Sequence, residues 1–420
     1  MMTQAFYTGL SGLKANQIAI DVVSDNLSNI NTPGYRGYTS EFKSMFEERI
    51  NASSTGPVDS TIGIGVEVSS TVMNQAQGSL LLSDISTDLA IDGDGWFGLS
   101  GNSEGNTYTR AGNFTFDANN DLITADDAYY VLGTMGNNIE DGVLTEDIFD
   151  LPLSGVDEQE RLRFPKTLTY PPEPTDEASF FGNLGTDDVP TVVSASVVDP
   201  QNSKNQLKLV FTKSAVQNAL GTRWDVQATT QTLDGNTIYD NQTGIVEFNE
   251  RGALDFSTLG SIDNNGIEVA INLGSGFTGI TAMDNRPVSV SSSSNGTIGG
   301  DLLGYEINQD AEVLATFSNG MQSTVGKIAL FHFQNDQGLL RETGTRFKVS
   351  ANSGEAIFFK DENGQNILGA NVVNFKIEDS NVKMEAGLTE LIILQRSYDA
   401  NSKSITTADQ MMQKALEMDA

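Results

Sequence analysis

A chain of 420 residues is long enough for two or three domains and for a core that needs no covalent staples. It has no cysteine, which excludes disulfides and thiolate metal sites. Its 24 Lys and Arg against 56 Asp and Glu leave a net charge of -32, a surface that repels nucleic acid. Charged residues are only 19% of the chain and Gly numbers 41, a turn-rich composition that favours β-structure over a long helical rod.

The first predicted element is a helix over residues 1–30. Phe6, Leu13, Ile20 and Leu27 are spaced by seven, and Gly9, Asn16, Val23 and Ile30 follow each by three, a heptad-like stripe. The opening MMTQAFYTGLSGLK has no basic region followed by an apolar block, and no segment reaches the ~18–20 apolar residues of a membrane helix. The chain is therefore expected to be cytoplasmic or to leave the cell without a cleaved signal.

The helix runs into SDNLSNINTPGYRGY, residues 24–38. Asn26, Asn29 and Asn31 crowd its last turn, where their amides can cap backbone groups. Thr32-Pro33-Gly34 then turns the chain towards Tyr35, since Pro33 disfavours helix at Thr32. So many amides exceed what one helix end requires, and they are expected to satisfy backbone groups on adjacent chains. A connector over 31–70 follows. It contains the long polar stretch EERINASSTGPVDSTI (47–62).

Strand patterning then takes over. IDGDGWF (91–97) reads as a Gly-Asp turn before a buried Trp96–Phe97 pair, because the later ligands of a calcium loop are missing. NTYTRAGNFTFDANNDLITADD (106–127) reads as a hairpin turning at Asp117–Asp121. Residues 136–300 are acidic, with the Pro-rich YPPEPTDE and strand-like runs such as QLKLVFT and GIVEFNERGALDF. They end in SVSSSSNGTIGG, a Ser/Gly linker signal. This stretch is expected to be a β-domain inserted between two halves of another. GKIALFHFQNDQGLL (326–340) and RFKVSANSGEAIFFKDENGQ (346–365) return to strands, with His332 as a structural residue between two Phe. At the C-terminus Met384, Leu391, Tyr398, Ile405 and Met412 are again spaced by seven. Leu394 belongs to the residues three positions on.

The expected fold is mainly β with α-helical termini in nested, discontinuous domains. A coiled-coil-like helix pair (1–30 and 384–420) is followed inward by a β-rich rod domain (71–135 and 301–383) and an inserted outer β-domain (136–300). The chain has no phosphate-cradling loop and no nucleophile elbow. Carboxylates are too common for a catalytic pair to stand out, so no catalytic residue, cofactor or metal is expected. Two readings of other classes stay open: a secreted acidic protein binding calcium or a surface ligand, and a hydrolase using two carboxylates of the middle domain.

Four segments carry a family resemblance. GLSGLKANQIAIDVVSDNLSNINTPGYR (9–36), LAIDGDGWFGLSGNSEGNTYTRAGNFTFDANNDLIT (89–124), VLATFSNGMQSTVGKIALFHFQNDQGLL (313–340) and SNVKMEAGLTELIILQRSYDANSKSITTADQMMQKALE (380–417) resemble the axial rod and hook family of the bacterial flagellum. The resemblance implies a structural, self-assembling protein whose terminal helices line a tube around a channel, with β-domains stacked outside. It implies export through the flagellar type III apparatus to an extracellular position in the hook or basal body. The partners implied are further copies of the chain and the rod, hook-cap and hook–filament junction proteins. The function implied is that of a flexible joint passing torque from rod to filament. The long 47–62 stretch resembles an insertion of distal-rod proteins, which makes distal rod the alternative within the family.

Overall fold

The computed structural model describes residues 2–45, 47–49, 61–63, 65–101, 105–126, 129–217, 221–284 and 286–418. The fold is mainly β, with one long helix at each end, α1 (Met2–Ser28) and α2 (Met384–Met418). The helices run antiparallel: the α-carbon of Gly9 faces Ile405, while that of Gly387 faces Leu27. An antiparallel ribbon, Tyr38–Ser44 with Val66–Met73, lies along α1 and is bulged between Glu41 and Phe42. Glu47–Arg49 pairs with Thr61–Gly63 and extends it. The connector is thus a hairpin that supplies α1 with a second neighbour. The rest of the long polar stretch, residues 50–60, lies outside the described residues.

Beyond the helices a fifteen-stranded sheet forms a β-body. Its core joins Leu89, Ile91, Phe97 and Leu99 from the first half of the chain to Phe317, Val325 and Leu330 from the second. Trp96 and Phe97 are both buried behind the Gly93–Gly95 turn. The hairpin Phe114–Phe116 with Leu122–Thr124 turns where the Asp117 carboxylate accepts from the N–H groups of Asn119 (2.7 Å) and Asp121 (2.9 Å). Asn120 takes the left-handed φ of 60° that this turn demands.

A ten-stranded sheet spans Glu177–Ser294 and has its own core, with Phe180, Phe211, Trp224 and Phe248 packed together. Its four long strands, from Thr191 to Phe248, form an antiparallel meander. Alternate residues of Lys204–Lys213 and of the first nine residues of Thr222–Thr232 point inward, the period-2 pattern of a half-buried strand.

Two expectations about the middle of the chain are corrected here. Residues 139–170 pair into the larger sheet, with Val143 beside Thr169 and Tyr170 opposite Gly300. Leu144, Leu162, Phe164 and Leu168 supply apolar surface to the β-body core, and the acidic residues between them stay outside. The Ser-rich run is a strand rather than a linker: Ser289–Ser294 pairs with Glu177–Asn183. Its small side chains lie flat, and Ser292 and Ser294 donate to the carbonyls of Ser194 (2.7 Å) and Ser196 (2.6 Å).

Candidate polymerisation interface

The two helices meet along a seam that is apolar at one end and small or polar at the other. Near the β-body, Ala19, Val23 and Leu394 are buried together, with Ile20, Leu27 and Leu391 packed around them. Towards the far end the contacts narrow. A Cβ on Gly9 would lie 2.8 Å from Ile405 Cγ1, and one on Gly12 would lie 2.8 Å from the Asn401 amide. Asn16, nearly buried, donates to Ser397 Oγ (3.0 Å). Any side chain at either position would have to displace Ile405 or Asn401 of the facing helix.

The residues singled out by the seven-residue spacing divide accordingly. Leu394 is buried, and Phe6, Leu13, Ile20, Leu27, Leu391, Ile405 and Met412 are half-buried. Tyr398 and Met384 are exposed. A second α2 stripe, which shares Met384 with the first, escaped the spacing argument at Leu388 and Ile392. Met384, Leu388 and Ile392 recur every four residues and are 54%, 47% and 58% exposed. An i, i+4 count starting at Met384 would have found them. On α1, Tyr7 and Ile18 are also exposed, flanking a cleft of about 550 Å³ against Met45, Val66 and Val68. Among the described residues, the helix pair therefore leaves apolar side chains of both members exposed.

Within the chain, the Asn-rich corner is held by its own hydrogen bonds. Asn26 holds both backbone groups of Tyr38, donating to its carbonyl (2.7 Å) and accepting from its N–H (2.9 Å). Asn29 donates to the Asp25 carbonyl (2.9 Å) and carboxylate (3.0 Å) and accepts from Thr32 Oγ1 (3.2 Å). These bonds serve carbonyls and turns that a helix end leaves open. Asn31 is exposed and Pro33 half-buried. Gly34 has φ +66°, and a Cβ there would lie 2.3 Å from the Ala111 nitrogen. Tyr35 is buried, and its hydroxyl donates to Asp25 (3.1 Å). Burial pushes that hydroxyl up to about 12, with Arg341 opposing and Asp25 adding to the shift.

Beside this corner lies a buried ionic cluster not singled out from the sequence. Arg36 and Glu378 pair at 2.9 Å with side chains 3% and 1% exposed, and Arg110 Nε approaches the same carboxylate at 3.7 Å. Burial lowers Arg110 to about 10, while Glu378 works against the shift. His332 has a structural place: buried, with Nε2 2.7 Å from the Leu368 carbonyl and its pKa lowered by burial. No described helix is long and apolar enough to cross a membrane.

Comparison with known proteins completes the description. Three family models match: Flagella basal body rod protein over residues 6–36, Flagellar hook protein FlgE/F/G D1 domain over 90–148, and Flagellar basal body rod FlgEFG protein C-terminal over 376–418. The chain is 28% identical to the flagellar hook protein FlgE of Borreliella burgdorferi, covering 99% of this chain and 100% of that one. It is 27% identical to the FlgE of Escherichia coli, over 97% and 98%. The crystal structure of Helicobacter pylori flagellar hook protein FlgE2 shares the fold, with a TM-score of 0.50 at 16% identity, over 70% of this chain and 98% of that one. Relatives over nearly the full length are named hook proteins, so neither the distal-rod nor the calcium-binding alternative is favoured. From both the matched segments and the full-length relatives, the chain belongs to the flagellar hook protein family.

Proposed function

We propose that the chain builds the hook by stacking its α1–α2 pairs side by side around a channel, with the β-body and the Glu177–Ser294 unit on the outside. The observation that carries this reading is the apolar surface left on the helix pair. Met384, Leu388 and Ile392 on α2 are about half exposed, and Tyr7 and Ile18 on α1 are exposed at the rim of the cleft against Met45, Val66 and Val68. Contiguous exposed apolar surface of this kind marks an interaction face. A face that meets a different face on the next copy, and does not close, yields an open helical assembly. The role is mechanical, without a reaction of its own. The chain is exported through the flagellar type III apparatus and ends extracellularly. There it meets the rod, the hook cap and the hook–filament junction proteins. Immunogold labelling of isolated flagella, with antibody raised against residues 177–294, tests the reading. Gold is expected on the short curved segment between basal body and filament. Gold confined to the straight rod, or its absence from flagella, would overturn it.

A further inference from the structure

The helix pair joins the β-body through three crossings of the backbone, near residues 29–37, 74–79 and 379–383. Three extended strands without lateral bonds would act as a hinge, because each keeps two free torsions per residue. These crossings are tied to one another instead. The backbone carbonyl of Glu378 accepts from Gly34 N–H (2.8 Å). Its carboxylate accepts from Gly78 N–H (2.9 Å) and from Arg36 (2.9 Å), and faces Arg110 at 3.7 Å. Arg36 also donates to the carbonyls of Gln75 (3.2 Å) and Ala76. Arg110, which belongs to the β-body, donates to the Gly93 carbonyl (2.7 Å). Three residues on, Asn381 accepts from Gly37 N–H (2.8 Å) and donates to the carbonyls of Asn74 and Ala76 (both 2.8 Å).

One side chain therefore bonds or pairs with the first crossing, the second crossing and the β-body, while its own backbone enters the third. We infer that Glu378 is the positioning residue that locks the helix pair onto the β-body, so that the neck of each subunit carries twist as a rigid piece and bending is taken up elsewhere in the assembly. The ions are dry, with all three side chains at most 4% exposed. Water is thus excluded as a substitute partner when the lock opens, and loss of the carboxylate leaves two guanidinium groups buried together. The more distant Asp94 and Asp336 act on both arginines through their charge alone. The mechanical meaning of the lock rests on the hook reading; the lock itself does not.

The absence of cysteine makes site-directed spin labelling direct. Labels on the exposed positions Gln395→Cys in α2 and Glu160→Cys in the β-body would report the distance across the neck of the full-length chain. The expected result is a single narrow distance distribution, broadened at least twofold by Glu378→Ala and by Glu378→Gln. The latter keeps an acceptor for Gly78 but loses the charge. Asn381→Ala is expected to broaden it to a smaller extent, and it decides the question if the Glu378 variants fail to fold. Fluorescence of Trp96 and Trp224, the two tryptophans, reports whether body and outer unit stay folded. A broad distribution in the parent chain, or variants as narrow as the parent, would overturn the lock. Tube formation is scored separately by microscopy, and its failure would count against the hook reading alone.

Discussion

Leu394→Asp is expected to abolish tube formation while leaving the melting of the β-body unchanged. Leu394 is 7% exposed in an apolar cluster with Ala19, Ile20, Val23, Leu27 and Leu391. A carboxylate placed there has no cation within the cluster. Either it stays ionised in an apolar seam or it takes up a proton, and both routes cost several kcal/mol, about 3–5 by analogy with unpaired buried charges. A seam that is otherwise narrow, glycine-rich and partly polar has little apolar area from which to recover that loss. The helices should separate, and without the paired surface there is nothing for the next copy to stack on. None of the cluster residues contributes to the β-body core, so that core should not notice. Sedimentation checks the loss of polymer, and calorimetry checks the body. Leu394→Met, which conserves volume, should assemble with a cost below about 1.5 kcal/mol. A matching drop in the body's melting temperature for the Asp variant would place Leu394 in a shared core and sink the argument.

Trp224→Ala should act in the opposite compartment. Trp224 is fully buried among Phe180, Phe211, Phe248 and Val246, and none of these belongs to the β-body core. Truncating a buried aromatic leaves a cavity and costs about 3–5 kcal/mol. For a unit of this size, that should lower the melting temperature of Glu177–Ser294 by roughly 10–20 °C, in a transition separate from that of the β-body. Tubes should still form, since the cluster around Trp224 shares no residue with the helix seam. Scanning calorimetry with and without the substitution reads both transitions. One transition that moves as a whole would mean that the two sheets melt as a single cooperative unit.

How far the sequence speaks for the fold depends on the distance over which its signals act. The seven-residue spacings from Phe6 and from Met384 are local, and they place two helices whose facing sides include Leu27, Leu391 and Leu394. The hairpin at Asp117–Asp121 is also local, because its turn is closed by one Asp side chain. What escaped the reading depends on partners far along the chain. Ser289–Ser294 looks like a linker until it is seen against Glu177–Asn183, more than a hundred residues earlier, where serine is the residue that lies flat. Residues 139–170 share the acidity of the middle stretch, yet Leu162 and Phe164 face the β-body core. Composition averages over the charged residues between them and misses it. Arg36, Arg110 and Glu378 show no spacing at all, since only the folded neck makes them neighbours. The Asn cluster was noticed for its chemistry, but not its partner within the chain. Asn26 closes on Tyr38, twelve residues on, which a turn at Pro33-Gly34 brings back beside the helix.

The central claim is that the α1–α2 pair, and not the β-units, builds the polymer. Electron cryo-microscopy of tubes assembled from the full-length chain tests it most directly. The account requires helical density at the smallest radius around an open lumen, with Met384, Leu388 and Ile392 against a neighbouring copy, and the Glu177–Ser294 unit outermost. A tube held together by contacts between the ten-stranded sheets, with the helices exposed on its outer surface, would contradict it.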